Sequence, residues 1–339
     1  MAMKNTGFAF LILVLISCNN RKNIPDVSGI RINLPIERFE QDFFSLDTND
    51  IANGLMNLKK KHPGFYPDFM RELLGVDGNE NNPETISAIR SFIHGYYPIY
   101  DSLRQIFANL DWLKKELEGQ LRFVSYYFPE YKPGNAITFI GPFDAPGAAL
   151  TGNGFAIGLQ QYAGKNFSVY QNPQLLELFP TYISRRFDPK YISVNCIKLI
   201  VDDLFPDNSS GKPLIEQMIE KGKQWYLLDK FLPETADSLK TGFTAEQLNW
   251  CRENEGIIWS SIVKNEDLNS IDPVTIQNYI GEGPFTHGFS QESSPGNLGQ
   301  WIGWQIIKKY AVKNPEMKPK EIMMTEARKI LEEVKYKPK

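Results

Sequence analysis

The chain has 339 residues, a formal net charge of −3 and a pI of about 5.8, which allows one large domain or two of ordinary size at ~100–200 residues each. Its 42% hydrophobic and 23% charged residues match the globular average and exclude a disordered or low-complexity chain. The near-neutral charge argues against a nucleic-acid partner, whose binding domains carry a strongly basic face. Three cysteines exclude a disulfide scaffold, and three histidines leave little imidazole for catalysis or metal binding.

At the N-terminus, Lys4 precedes an uninterrupted apolar stretch of nine residues, Phe8–Ile16. That is too short to span a bilayer, which takes ~20 apolar residues, and fits the ~7–15 residue core of a signal peptide. It ends in Leu15-Ile16-Ser17-Cys18, followed by polar Asn19-Asn20-Arg21-Lys22. This pattern resembles a bacterial lipobox. The resemblance implies cleavage before Cys18 and a diacylated, N-acylated cysteine as the first mature residue, a stable anchor because two or more acyl chains hold where one does not. Residues 19–30 are polar, with Pro25 and Gly29, and read as a tether. Residues 19–22 lack an acidic cluster, which favours a body facing the periplasm over a surface-exported one. The expected division is a signal peptide over 1–17, a lipidated cysteine with flexible tether over 18–30, and a single globular domain over 31–339.

The body is patterned mostly as helices. Ile51, Leu55 and Leu58 recur at i, i+4 and i+7 before Lys61-His62-Pro63 stops the run. Leu110, Leu113, Leu117, Leu121 and Val124 form a second stripe, with Asp111 as its cap. Asn172-Pro173 opens a helix expected to reach about Phe187. Further helices are expected over 190–205 and 212–231. Thr244–Gln247 matches a capping box at the head of a helix to about Val263. Another begins at Ser294-Pro295 and runs to about Val312, and Met323, Ala327, Ile330 and Val334 mark the last. Between these, Ala136–Ile140, Ala148–Leu150 and Phe155–Leu159 read as short strands, the last two joined at Gly152-Asn153-Gly154, a strong hairpin signal. The expected fold is α+β, predominantly helical: one domain with a small, mainly antiparallel central sheet.

Signatures of chemistry are sparse. His62, His94 and His287 are scattered, with no His-Glu-x-x-His, and neither a nucleophile elbow nor a phosphate loop occurs, so no metal or cofactor is expected. Cys196 and Cys251 are apolar in context and could pair or remain free. The carboxylates Asp202-Asp203, Glu253, Glu255 and Glu292 have no spacing that makes a catalytic pair, because neighbours in sequence face different sides of a helix. Gly296, Gly299 and Gly303, at i, i+3 and i+7, are the oddest feature. Glycines in a helix cost on the order of 1 kcal/mol each relative to Ala. Close approach of another backbone, with Trp301 and Trp304 beside it, would compensate. A ligand groove between the 136–159 hairpin and the 294–310 helix is the functional alternative.

Six stretches, His62–Met70, Phe139–Thr151, Leu178–Ile192, Lys212–Pro233, Gln247–Trp259 and Ser294–Tyr310, together resemble the gliding motility lipoprotein GldB family over nearly the whole chain. The resemblance implies a non-catalytic envelope lipoprotein whose partners are membrane lipid, through acylated Cys18, and other proteins of the gliding apparatus and its linked secretion system. It brings no catalytic residues. The order hairpin, helix, Gly-rich aromatic helix is also similar to predicted zinc-dependent proteases. Their metal-binding motif would fall near Ile192–Leu204, which reads ISVNCIKLIVDDL and has no histidine, so that likeness implies a pseudo-enzyme on a degenerate zincin-like layout.

Overall fold

The computed structural model describes residues 24–265 and 268–338. The signal-peptide segment and Cys18 lie outside the described residues. The chain enters through a short strand, β1 (Ile36–Arg38), that runs directly into α1 (Phe39–Phe44). Next come α2 (Ile51–Lys61), α3 (Tyr66–Asp68), the long α4 (Pro83–Ile106) and α5 (Asp111–Tyr127). The strands β2 (Asn135–Phe139), β3 (Ala148–Thr151) and β4 (Gly154–Gly158) follow. The remainder is helical: α6 (Pro173–Leu178), α7 (Thr181–Ser184), α8 (Ile192–Leu204), α9 (Leu214–Phe231), α10 (Asp237–Thr241), α11 (Ala245–Glu253), α12 (Glu255–Asn265), α13 (Pro273–Ile280), α14 (Leu298–Lys313), α15 (Pro319–Met324) and α16 (Ala327–Val334). The expected α+β, predominantly helical domain is what forms, and its buried apolar side chains make one connected core from Leu34 to Tyr336.

The local signals act where side chains can satisfy free helix ends. Asn172 Oδ1 accepts from the Gln174 amide at 2.9 Å, and Pro173 occupies the first turn. At α11 both halves of the capping box close, Thr244 Oγ1 accepting from the Gln247 amide (3.1 Å) and Gln247 Oε1 from the Thr244 amide (3.0 Å). Asp111 is not the cap of α5; Asn109 Oδ1 accepts from the Asp111 amide at 2.6 Å. Three long helices of the sequence reading break in the structure. The one opened by Asn172-Pro173 ends at Leu178, because Pro180 has no amide proton to continue it. The helix over 244–263 divides at Asn254, whose Nδ2 donates to Trp250 O at 2.8 Å and terminates α11. The last divides at Thr325-Glu326, both in extended backbone.

The sheet is mixed, with strand order β1-β2-β4-β3, and this corrects the mainly antiparallel expectation. β1 pairs parallel with β2 (Glu37 opposite Ile137), β2 parallel with β4 (Ile137 opposite Ala156), and only β3 antiparallel with β4 (Ala149 opposite Ala156). The Gly152-Asn153 turn makes β3–β4 a hairpin as read. However, α1 to α5 intervene between β1 and β2, and residues 140–147 carry the chain past the position of β4 before β3 begins. Those crossovers make the other pairs parallel. Central β4 is buried along its whole length and β2 along Ala136–Phe139, as expected for parallel strands covered on both faces.

An aromatic cluster sits beneath the sheet. The Phe39 ring lies 4.6 Å from Phe69 and 5.1 Å from Phe65, which in turn lies 5.4 Å from Phe139. On the other side the layers run β3 against α8, α8 against α9, and α9 against α14. The α9–α14 crossing is backbone on backbone. A Cβ on Gly303 would fall 1.6 Å from Met218 O, and one on Gly222 would fall 2.1 Å from the Gly303 carbonyl carbon. Gly299 approaches Tyr279 O (2.7 Å from a built Cβ), and Gly296 approaches Gly283 O (2.4 Å). Gly296 precedes the helix, which starts at Leu298 after Asn297 in the left-handed region (φ 47°). Close packing therefore explains the glycines, and each answers to a different neighbour. Trp304 stays beside the crossing, its Nε1 donating to Asp229 Oδ2 at 2.8 Å and its ring edge-on to Trp225.

Candidate functional site

The segments carrying the family resemblance in the N-terminal half meet at a cleft of about 220 Å³ at the starting ends of the parallel strands. α2 ends at His62, and Pro63-Gly64 turns the chain so tightly against the hairpin that a Cβ on Gly64 would fall 1.5 Å from Asn153 Nδ2. Asn135–Ile137, Thr151 and Phe155 complete the wall.

Buried His62 is the centre of this site. Its Nδ1 lies 2.7 Å from Glu37 Oε2 on β1, and its Nε2 lies 2.7 Å from Asp42 Oδ2 on α1. The edge-on Phe39 ring, 5.4 Å away, closes one side. Asp42 also accepts from Lys61 Nζ at 2.7 Å. Burial draws the Asp42 carboxyl upward, but the hydrogen bonds from Lys61 and His62 outweigh it and hold the group below its ordinary value. Two residues earlier, Glu40 is enclosed in the core, accepting from Arg38 Nε at 2.6 Å and Thr138 Oγ1 at 2.7 Å. Burial prevails there and raises its carboxyl.

Both nitrogens of the His62 ring lie against carboxylates, so neither is open to a substrate, and among the described residues no hydroxyl or thiol is joined to the ring as a nucleophile would be. The two carboxylates lie at different edges of the imidazole and do not converge with it on one ion. Among the described residues no group of three His, Cys, Asp or Glu side chains is placed to hold a metal. The arrangement clamps β1, α1 and the end of α2 together. Its signal in the sequence, His-Pro-Gly after an apolar stripe, reads only as a helix stop.

The other candidates are dispersed. His94 lines a separate open cavity beside Tyr97 and Pro98, and His287 is exposed after α13, its amide bound to Asn278. Asp202 accepts from Gln224 (3.1 Å), whereas Asp203 is hydrogen-bonded to Tyr131. Glu255 accepts from the Tyr336 hydroxyl, while Glu253 and Glu292 are exposed. Cys196 and Cys251 are free and buried, and burial pushes both thiols up. α8 lies against β3, where the protease likeness would put its metal helix. There Asn195 Nδ2 donates to the Tyr162 hydroxyl at 2.9 Å, and Cys196 is wholly enclosed. Among the described residues α8 and α9 are layered between the hairpin and the glycine-rich helix, in the place where the expected groove would lie.

No curated protein and no solved structure matches the chain. The family model described as gliding motility protein GldB matches residues 20–338. That span includes the His62 clamp, the mixed sheet and the glycine crossing, and the chain belongs to the GldB family of gliding motility proteins.

Proposed function

We propose that this gliding motility protein is a lipid-anchored envelope component of the gliding machinery and its linked secretion system, its body facing the periplasm and acting by binding other envelope proteins, without catalysis. The family match over residues 20–338 carries the reading. Several features support the finer parts. The nine-residue apolar core ends in Leu-Ile-Ser-Cys at Cys18, which suits a lipoprotein signal peptide over 1–17. No helix among the described residues is long and apolar enough to cross a membrane, so a lipid on Cys18 would be the anchor. The ring of His62 is spent on two carboxylates, which suits a structural role.

The decisive experiment is metabolic labelling with a fatty acid. The parent protein should take up label and the Cys18→Ala variant should take up none while accumulating in uncleaved form. Label retained by Cys18→Ala would overturn the anchor. Cross-linking in intact gliding cells should capture other envelope proteins with the parent, and capture of none would overturn the binding role.

A further inference from the structure

The face of α5 that points away from the core has an unusual composition. Trp112, Lys115, Gly119, Arg122 and Tyr126 follow one another at three- and four-residue steps, with Phe123 beside them, so they share one side of the helix. The opposite stripe, Leu113, Leu117, Leu121 and Val124, is the one buried in the core. Trp112 is 39% exposed and Tyr126 49%, which is high for rings of that size; of the other described aromatics only Tyr97, on α4, is as open. Up to Phe123 this face forms one wall of a groove of about 730 Å³, with Tyr126 beyond its end, and Ile24–Ser28 and Phe231–Thr235 form the other.

Two further observations concern charge. Three acidic groups near the groove already have partners, and Glu234 on its far wall is the exception. Glu116 accepts from Ser193 Oγ at 2.7 Å, Glu118 accepts from the Leu34 amide at 3.0 Å and faces Lys114, and Asp26 accepts from the Ser28 amide. Lys115 and Arg122 form no ion pair among the described residues, although Glu234 stands on the far wall. Arg122 Nε and Gln120 Oε1 are buried there with no hydrogen-bond partner, and Gln120 is only 8% exposed. Free cations interleaved with Trp, Tyr and Phe suit the headgroup layer of a bilayer, where amphipathic rings and basic side chains concentrate.

The position of the groove selects the occupant. Ile24, itself 41% exposed, lies in the groove and is six residues after Cys18. Six residues reach ~20 Å at most when fully extended, so an acyl chain on Cys18 holds this face within that distance of the lipid. A tethered surface needs little affinity of its own, because linkage raises its effective concentration to the millimolar range. We infer that the Trp112–Tyr126 face of α5, with the Ile24–Ser28 edge, rests on the membrane surface and fixes the orientation of the body, presenting the opposite side to its partners. This rests on the Cys18 anchor.

The test uses the full acylated chain in vesicles of phosphatidylethanolamine and phosphatidylglycerol, with bromine near the headgroup end of the acyl chains. Brominated lipid should quench part of the emission of the six tryptophans. That part should disappear in Trp112→Phe and shrink in the double variant Lys115→Glu/Arg122→Glu. Equal quenching in parent and Trp112→Phe, or none in either while Cys18 is acylated, would overturn the membrane-bound face. So would Trp112 shielded by a second copy of the chain, seen as a dimer on the vesicles. Missing acyl label on Cys18 in the same preparation would overturn the anchor itself, and the inference with it.

Discussion

Asp42 shows how a single residue is set by its neighbours. It stands between Lys61 and His62, and their hydrogen bonds hold its carboxyl below the ordinary Asp value. A carboxyl with a depressed pKa in the folded state contributes stability that is present above its unfolded pKa, about 3.9, and is lost as pH falls through the folded value. Acid denaturation followed between about pH 5 and pH 2 should therefore weaken the parent more steeply than Asp42→Asn, which has no such proton to bind. Parallel pH curves would remove Asp42 from the account. Glu40 works in the opposite direction. Its raised carboxyl binds protons in the folded state at a pH where the unfolded chain has released them, which makes stability fall as pH rises through that window. The two groups are two residues apart, and the balance of burial against hydrogen-bond partners separates their behaviour. That is why neither could be assigned from sequence, where both are acidic residues at the head of a helix.

At the scale of elements, the α9–α14 crossing sets backbone directly against backbone. In an exposed helix, Gly→Ala stabilises by ~0.4–1 kcal/mol, because Ala restricts the unfolded chain. At Gly303 the added methyl would meet Met218 O at 1.6 Å, so the helices must separate, at a cost of ~1–3 kcal/mol or more. Gly299→Ala, meeting Tyr279 O at 2.7 Å, should also lower the midpoint of denaturant unfolding, by less than Gly303→Ala. Gly95 supplies the internal control: it lies inside α4 with nothing within 4 Å of a built Cβ, and Gly95→Ala should stabilise. If all three substitutions shift the midpoint in the same direction, the crossing does not constrain the helices as described. The i, i+3, i+7 spacing was enough to expect a close backbone neighbour. It could not name Gly222, because a single glycine in α9 carries no periodic signal. Nor did the apolar pattern reveal α4, the longest helix, or the three-residue β1 that opens the sheet.

For the whole molecule, the arrangement of titratable groups yields a prediction about metal. His62, His94 and His287 stay apart in three separate settings, so purified full-length protein should contain no stoichiometric zinc by elemental analysis. One zinc per chain, lost on His62→Ala, His94→Ala or His287→Ala, would contradict that arrangement. The same separation applies to the two internal cysteines, each buried alone in its own helix, and to the carboxylates, of which Asp202, Asp203 and Glu255 each engage a different partner.

The sequence by itself determined the helical class, the β3–β4 hairpin, the capping box at Thr244, the close packing of the glycines and the family. Each rests on a local pattern: an apolar period, a turn dipeptide, a side-chain oxygen three residues from an amide, or the order of segments along the chain. Only the tertiary structure decided the parallel pairing of β1, β2 and β4, because strand direction depends on the crossovers and not on the residues of the strand. It also decided that His62 is clamped between Glu37 and Asp42, 25 and 20 residues away, since no local rule links a helix-terminating histidine to carboxylates on β1 and α1. Finally, it decided which side of α5 remains outside. The apolar stripe shows that α5 buries one face, but only the packing of α8, α9 and the Ile24–Ser28 segment leaves Trp112 and Tyr126 at the surface beside the chain that leads back to Cys18.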